Sequence, residues 1–218
     1  MIVIPARNEG PRVGAVVGAV RAVLPGVGVL VVENGSEDDT AVQARRAGAE
    51  VLVSPVGYAS ALKVGLSAAR ERGAAWVVQM DADGQHPASA LPGLLAALSD
   101  ADLVVGSRFL AGAGYRVPLA RRFGIAVLSS LASQRAGARL TDVTSGLRVW
   151  SPRALTALLP CFPEPVADGN LLVAAARAGL RVREVPVAML PRQGGTSMHA
   201  GLRGAVFAAR SLVATLRG

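Results

Sequence analysis

The sequence predicts an α/β domain with a mostly parallel central sheet and helices on both faces. Short apolar runs alternate with helical segments through the first half of the 218-residue chain, a pattern typical of βαβ units. Most of these runs are continuously apolar, as expected of strands that are buried on both faces. No linker, repeat or low-complexity block divides the sequence. We therefore expect a single domain over residues 1–218.

The first half of the chain gives the clearest elements. Strands are predicted at Ile2–Pro5, Val27–Glu33, Glu50–Ser54, Trp76–Asp81 and Leu103–Ser107. The helices between them are predicted at Pro11–Leu24, Thr40–Ala47, Tyr58–Arg72 and Pro87–Leu98. Local signals support these bounds, because Gly48 and Gly73 directly follow helices and Pro87 lies near a first turn.

The pattern is less regular after Gly106. A Gly-rich loop is predicted at Leu110–Val117, a loop and then a strand-like segment within Thr141–Trp150, a strand at Arg181–Val187 and a polar loop at Pro191–His199. Helices are predicted at Pro118–Ala136, Ala167–Ala178 and Leu202–Leu216.

Composition narrows the class of protein. The net charge is +8, almost entirely from arginine, which suits anionic partners such as phosphates or an anionic membrane. Aromatic residues make up only 4% of the chain and do not alternate with basic residues, so we expect no nucleic-acid partner. No signal peptide is evident, and the longest apolar stretch tested, 123–134, is shorter than the roughly 20 residues that span a bilayer. The single cysteine, Cys161, fits a reducing cytoplasm and is expected in the core.

The strongest functional signal is Asp81-Ala82-Asp83-Gly84-Gln85, directly after an apolar run. Side chains two residues apart on an extended backbone share a face, and ligands of parallel sheets bind at the carboxyl ends of the strands. Two carboxylates there suit Mg²⁺ or Mn²⁺ together with substrate phosphates. Such a metal stabilises a nucleoside diphosphate as a leaving group, which predicts a glycosyltransferase with a DXD motif. Carboxylates that merely cap a turn are the structural alternative.

A series of segments resembles, in order, the motifs of family 2 glycosyltransferases, which have the Rossmann-like GT-A fold. These segments are Ile4–Glu9, Val31–Thr40, Gly57–Gly65, Asp81–Gln85, Val105–Arg108, Asp142–Arg148 and Glu184–Val187. The resemblance extends over residues 1–198 and is strongest to the transferases of dolichol and polyprenol phosphate. It implies a nucleotide-sugar donor, GDP- or UDP-linked, a polyprenyl-phosphate acceptor, and inversion at the sugar.

The resemblance also implies roles for individual residues. Asp83 is expected to ligate the metal, Asp81 to contact metal or ribose, and Gln85 to orient the sugar or the metal ligands. Arg108 is expected beside the transferred sugar or the acceptor phosphate. The nucleotide-sugar pocket is expected to include Pro5, Arg7, Glu9, Glu33, Lys63, Asp81 and Asp83, and the acceptor site Arg121, Arg122, Ser145 and Arg192. Residues 1–110 would then form the donor half and 111–200 the acceptor half.

The alternatives for these residues are structural. Lys63 also fits the solvated face of an amphipathic helix, and Arg121 and Arg122 also fit surface charges. Glu37 and Asp38 are expected to be solvated loop acids, and His86 a residue at the start of a helix.

Two residues depart from the family pattern. Asn170 stands where a carboxylate is usual, with Asp168 nearby as a substitute, and Met198 replaces a usual lysine in the 192–198 segment. A phosphate monoester has a second pKa of about 6 and needs no catalytic base, so Asn170 favours a phosphate acceptor. The alternatives are a soluble small-molecule acceptor and a catalytically silent nucleotide-sugar-binding domain. A sugar-nucleotide pyrophosphorylase is disfavoured, because its Gly-rich, Arg-containing signature near the first strand is missing.

The last predicted helix, within residues 201–218, is amphipathic. Arg203, Arg210 and Arg217 recur every seven residues and share one face, beside an apolar stripe. Such a helix can lie on an anionic bilayer, although the ordinary explanation is a helix that packs its apolar stripe on the domain and leaves the arginines in solvent. We therefore expect a cytoplasmic enzyme with peripheral contact at the inner face of the membrane.

Overall fold

The computed structural model describes residues 1–110, 119–165, 168–191 and 213–215. Its strands are β1 (Ile2–Ala6), β2 (Val29–Glu33), β3 (Glu50–Val53), β4 (Val77–Gln79), β5 (Leu103–Ser107), β6 (Arg148–Trp150) and β7 (Val182–Pro186). They form one seven-stranded sheet in the order β3-β2-β1-β4-β6-β5-β7. Only β6 runs antiparallel to its neighbours among these described strands. The predicted mostly parallel sheet is confirmed.

Helices cover both faces of the sheet. They are α1 (Gly10–Val23), α2 (Thr40–Arg46), α3 (Tyr58–Glu71), α4 (Leu91–Ala96), α5 (Leu119–Ala136), α6 (Pro152–Leu158) and α7 (Gly169–Arg177). Helices α3, α5, α6 and α7 contribute to one apolar core, together with Val3 and Trp150. Helices α1, α2 and α4 contribute to the other, together with Ile2 and Ile4. Alternate residues of β1 therefore enter opposite cores, as the two-residue period of a strand requires.

The predicted helix Pro87–Leu98 is interrupted. A 3₁₀ turn at Ala88–Ala90 precedes α4, and a second one at Ala97–Asp100 follows it. Pro92 lies in the first turn of α4, where a proline is tolerated because its missing N–H would have no partner there. The proline therefore marks a helix start inside the segment that was predicted as one helix.

Strand β4 ends earlier than the predicted bound at Asp81. The backbone N–H of Asp81 donates to Nδ1 of His86 at 2.9 Å, so the chain leaves the sheet just before the acidic motif. Helix α6 was not predicted. Ser151 caps it by accepting the N–H of Ala154 at 3.1 Å, and Pro152 occupies the first turn, so the Ser-Pro pair was the signal for this helix start.

Several predictions fall outside the described residues. These are most of the loop at 110–117, the polar loop at 191–199 beyond Pro191, and the final helix apart from residues 213–215, which are helical. The prediction for Cys161 is wrong. It lies in the 3₁₀ turn Leu159–Cys161 and is exposed to solvent, whereas Leu159 and Phe162 on either side of it are buried in the core. No helix in the described ranges is long and apolar enough to cross a membrane.

Candidate active site

The strand order brings the predicted residues to one edge of the sheet. Strands β2, β1 and β4 are neighbours, so Glu33, the loop with the exposed Arg7, and Asp81 lie at adjacent carboxyl ends. Pro5 is buried within β1. Strand β6 runs in the opposite direction and begins at Arg148. The segment just before it, which contains Gly146, therefore lies at the same edge, between the ends of β4 and β5.

The loops after β1 and β2 are joined by hydrogen bonds. The N–H of Asn8 donates to Oγ of Ser36 at 3.1 Å, and the N–H of Glu37 donates to Oδ1 of Asn8 at 2.8 Å. Glu33 accepts the backbone N–H of Ser36. Burial acts to raise the pKa of Glu33, but this hydrogen bond and those from the following backbone outweigh it and lower the pKa below its ordinary value. Glu33 therefore remains ionised at neutral pH.

Two further acids organise the start of α1. Glu9 is buried, forms an ion pair with Arg12, and donates its backbone N–H to Oγ1 of Thr40 at 2.8 Å. Asp38 accepts the N–H groups of Gly10 and Thr40, each at 3.0 Å. Asp38 is exposed in the loop after β2, as expected, and its carboxylate also joins this loop to the first turn of α1.

Asp81 is held from several sides and remains accessible. Its Oδ1 accepts the hydroxyl of Tyr58 at 2.9 Å, and its side chain is 32% exposed. A Cβ atom added to Gly146 would stand 2.6 Å from Oδ2 of Asp81, so only glycine leaves room for this carboxylate. His86 accepts the N–H of Asp81 at Nδ1. The neutral ring therefore carries its proton on Nε2, which lies 3.7 Å from Oδ2 of Asp81.

Tyr58 is a functional candidate that the sequence reasoning missed. Burial raises the pKa of Tyr58 well above its ordinary value of 10, and the negative charge of Asp81 adds to the effect. The hydroxyl therefore keeps its proton and acts as a donor. The signal for it was its place directly after Gly57, since the chain has only two tyrosines and this one begins a helix at the carboxyl edge.

The second aspartate of the motif is less exposed. Asp83 is 8% exposed, and its Oδ1 accepts the N–H of Gln85 at 3.0 Å. Gly84 between them has a φ of 78°, which is the left-handed conformation that glycine adopts without strain. The carbonyl of Gln85 accepts the N–H of Leu190 at 2.8 Å. The acidic loop is thus held to the chain that follows β7.

The carboxylates at this edge of the sheet suit a divalent cation that binds together with a substrate. Within the described residues, no group of three or more His, Cys, Asp or Glu side chains could hold a metal ion. Asp81 and Asp83 offer hard oxygen ligands at the sheet edge, and Mg²⁺ typically takes one or two carboxylates and completes its shell with phosphates and water. The two residues therefore suit Mg²⁺ or Mn²⁺ bound alongside a diphosphate.

Arg108 is engaged within the protein. Its Nε and Nη2 donate to the two oxygens of Asp142 at 2.7 and 2.6 Å, and Nη2 also donates to Oγ1 of Thr144 at 2.7 Å. Asp142 is fully buried. Ser145 is buried as well, and its hydroxyl donates to the carbonyl of Gly106 at 2.6 Å. Both predicted site residues hold the segment before β6 against the end of β5, and their contact with substrates stays a prediction.

A buried cation lies beneath the acidic edge. Arg148 of β6 is 1% exposed and donates through Nη2 to the carbonyl of Val143 at 3.2 Å. Burial lowers the pKa of Arg148, and the nearby Asp168, Tyr58, Asp142 and Asp81 act in the opposite direction. The guanidinium keeps its positive charge and offsets the negative charge of the nearby carboxylates. Arg148 ends the motif Asp142–Arg148, and the sequence alone predicts no role for it.

The remaining predicted residues are more scattered. Lys63 forms an exposed ion pair with Glu164 at 2.8 Å, and Arg122 is exposed on α5. Asn170 is buried, and its Oδ1 accepts the N–H of Asp168 at 3.0 Å. The side chain of Arg121 and the whole of Arg192 lie outside the described residues.

A comparison with protein families shows the family of the chain. The family model described as "Glycosyl transferase family 2" matches residues 1–146 of the 218. The chain belongs to glycosyltransferase family 2. The predicted family, the GT-A fold and the transferase activity are confirmed.

Known proteins are similar to this family 2 glycosyltransferase along most of its length. An uncharacterized glycosyltransferase of Mycobacterium tuberculosis is 40% identical over 210 residues, which cover 95% of this chain and 93% of the relative. An undecaprenyl-phosphate mannosyltransferase of Micrococcus luteus is 35% identical over 214 residues, which cover 92% and 87%.

A solved structure has a similar fold. It is glucosyl-3-phosphoglycerate synthase from Mycobacterium tuberculosis in complex with Mn²⁺, UDP and glucosyl-3-phosphoglycerate, with a TM-score of 0.72 and 22% identity. The alignment covers 99% of this chain and 77% of that one.

Proposed function

We propose that this glycosyltransferase moves a sugar, with inversion, from a GDP- or UDP-linked donor to a polyprenyl phosphate, with Mg²⁺ or Mn²⁺ bound beside the donor. The observation that carries the proposal is the pair Asp81 and Asp83 at the carboxyl edge of the sheet, one accessible and one nearly buried. This edge is where open α/β sheets bind their ligands.

The donor would lie across the ends of β2, β1 and β4. The ionised Glu33 and the exposed Arg7 stand at the nucleoside end, where a carboxylate accepts hydrogen bonds from a base or ribose and a guanidinium stacks on a base. Asp81 and Asp83 stand at the diphosphate end. A divalent ion bound there would neutralise charge on the departing nucleoside diphosphate.

The lipid-phosphate acceptor is supported by the Micrococcus luteus relative, whose name specifies undecaprenyl phosphate, and by Asn170. A phosphate monoester is largely ionised near pH 7, since its second pKa is about 6, and so needs no base. Asp168, the alternative acid, interacts with the buried Arg148, which favours a structural use of its charge. Arg122 is exposed on α5 and suits a phosphate.

A soluble acceptor is the second candidate. It is favoured by the similar fold of a structure that holds glucosyl-3-phosphoglycerate. A hydroxyl acceptor of that kind benefits from a general base, and the site offers no carboxylate at position 170. The lipid acceptor therefore fits the described residues better.

The first test is calorimetry of donor binding. GDP-mannose and UDP-glucose are titrated with and without Mn²⁺ into the wild type and into Asp83→Asn. We expect one donor to bind in a Mn²⁺-dependent way and Asp83→Asn to lose most of that dependence, because an amide is a much weaker ligand for a hard cation than a carboxylate.

Asp100→Asn is the matched control. Asp100 precedes β5 at the opposite edge of the sheet, with a side chain 71% exposed, and its variant should bind like the wild type. A folded wild type that binds neither donor contradicts the proposal. Turnover is then compared with undecaprenyl phosphate in detergent and with phosphoglyceric acid. Turnover of only the second acceptor moves the assignment to a soluble substrate, and binding without turnover of either indicates a silent binding domain.

A further inference from the structure

A line of polar side chains runs from the interior of the sheet to Asp81. The indole Nε1 of Trp150 donates to Oε1 of Gln79 at 3.2 Å, and Nε2 of Gln79 donates to the Tyr58 hydroxyl oxygen at 3.4 Å. The hydroxyl donates to Oδ1 of Asp81 at 2.9 Å. Trp150 is fully buried and Gln79 is 1% exposed, so bulk water does not compete for their polar groups.

The sheet register explains why these side chains meet. Gln79 of β4 pairs with Arg148 of β6, and Val77 pairs with Trp150. Residues two apart on a strand share a face, so Gln79 and Trp150 are diagonal neighbours on one face. Helix α3 packs on that face and brings Tyr58 over Gln79 from its first turn.

The chemistry of the groups fixes the direction of every hydrogen bond in the line. An indole N–H can only donate, so the side-chain amide of Gln79 must present its oxygen to Trp150. Its NH₂ group then faces Tyr58, and the hydroxyl proton of Tyr58 is directed to Asp81. An ionised carboxylate can only accept. The line therefore begins at a donor-only group and ends at an acceptor-only group, with no alternative arrangement.

We propose that Tyr58, oriented by Gln79 and Trp150, is a positioning residue that fixes the Asp81 carboxylate for the nucleotide-sugar. This inference rests on the proposed function, in which Asp81 faces ribose or metal. The hydroxyl of Tyr58 occupies Oδ1, while Gly146 leaves space for Oδ2. The carboxylate is thus oriented before the donor arrives, and a group held in advance in its binding geometry loses less freedom when the ligand binds.

The test uses Tyr58→Phe, which keeps the ring and removes only the hydroxyl. GDP and UDP are titrated by calorimetry with and without Mn²⁺, and thermal unfolding is followed in parallel. We expect the nucleotide that the wild type binds to bind about tenfold more weakly, the order of effect of one hydrogen bond to a charged group. In turnover assays the KM for the donor should rise more than kcat falls. Ser60→Ala is the control, since it removes a hydroxyl of the same helix that donates instead to Glu164.

A second variant tests the line as a unit. Gln79→Leu should also weaken nucleotide binding. The double variant of Tyr58→Phe and Gln79→Leu should bind as tightly as the single variant with the lower affinity, because the effects of substitutions within one hydrogen-bonded network are not additive. Trp150→Phe replaces Gln79→Leu if the latter does not fold. Wild-type binding retained by folded Tyr58→Phe, or full additivity of the two changes, overturns the inference alone. A folded wild type that binds neither nucleotide overturns the proposed function and this inference together.

Discussion

At the scale of single residues, the acidic motif depends on groups far from it in sequence. The orientation of the Asp81 side chain depends on Tyr58, which precedes it by 23 residues, and on Gly146, which lies beyond β5 in the chain. Neither neighbour is charged, and neither contributes a ligand of its own. Their contribution is to determine where one carboxylate points.

Gly146→Ala should therefore impair binding while leaving the fold intact. The added methyl would stand 2.6 Å from Oδ2 of Asp81, and the carboxylate, as the end of a side chain, can rotate away at little cost to packing. We expect Mn²⁺-dependent donor binding by calorimetry to fall at least tenfold, about 1.4 kcal/mol, with little change in the thermal midpoint. A large drop in the thermal midpoint would show that the glycine is needed for the fold instead.

The candidate site could be predicted where the type of a residue and its position after a strand indicate its chemistry. Asp81 and Asp83 directly follow an apolar run. The short segment therefore predicts a strand, places both aspartates at its carboxyl end and indicates ligands for a metal ion. Tyr58 and His86 could not be assigned in this way, because their contacts depend on where helix α3 and the turn after the motif lie. The hydrogen bonds of Arg108 to Asp142 and Thr144 could not be predicted either, and its contact with the sugar or the acceptor phosphate stays a prediction.

At the scale of elements, helix α3 packs against the sheet with no room for a side chain at Gly65. A Cβ atom added to Gly65 would stand 2.4 Å from Cγ1 of Val3 and 2.9 Å from Cγ2 of Val32. Valine methyl groups move little, because β-branched side chains are restricted at χ1. The same glycine thus sets the distance between α3 and the strands β1 and β2, and with it the height of Tyr58 above the sheet edge.

Gly65→Ala and Gly18→Ala should have opposite effects on stability. Gly18 lies within α1, and an added Cβ would meet no atom within 4 Å, so alanine should stabilise this helix by about 1 kcal/mol. At Gly65 the same gain is opposed by overpacking of about 1–3 kcal/mol. The free energies of unfolding of the two variants, measured in urea, should differ by about that overpacking cost. Equal values would show that α3 can shift away from the sheet.

Element predictions succeeded where apolar runs were long and failed where turn chemistry intervened. The five strands of the first half are all present, and β5 has the predicted bounds. Helix α6 is no shorter than α2, which was predicted, and it was missed because the Ser151-Pro152 start signal was not used. The antiparallel direction of β6 was not predictable, since a strand of three residues, Arg148–Trp150, does not reveal its partners.

At the scale of the whole molecule, the carboxyl and amino ends of the parallel strands have different roles. The carboxyl edge carries the candidate site, whereas the opposite edge is held by Asp102, just before β5. Its carboxylate accepts the N–H of Arg181 at 2.8 Å and a guanidinium N–H of Arg153 at 3.1 Å. These contacts join the start of β5 to α6 and to the start of β7.

Asp102 should make stability depend on pH in the acid range. The backbone N–H of Arg181, and the charges of Arg153 and Arg181, lower the pKa of Asp102 below its ordinary 3.8, although burial opposes them. A lowered pKa gives stability that is present above 3.8 and is lost as the pH falls through the folded-state value. In urea unfolding at pH 7, Asp102→Asn should be less stable by about 1–3 kcal/mol.

That difference should shrink below pH 4, where the wild-type carboxyl takes up its proton. Asp100→Asn is the matched control, because Asp100 precedes the same strand and its side chain is 71% exposed. Its unfolding profile should follow the wild type across the pH range. A constant gap between Asp102→Asn and the wild type from pH 7 to pH 3 would contradict the linkage.

The placement of β6 has a consequence for synthesis of the chain. Strands β4 and β5 leave the ribosome early, but the strand between them ends at Trp150. Until that residue emerges, both strands present open edges, and such edges are sites of misassembly. The first 110 residues, although first to be translated, can neither close the sheet nor complete the contacts around Asp81. We therefore expect the nascent chain to be prone to misassembly at these edges until Arg148–Trp150 has been made.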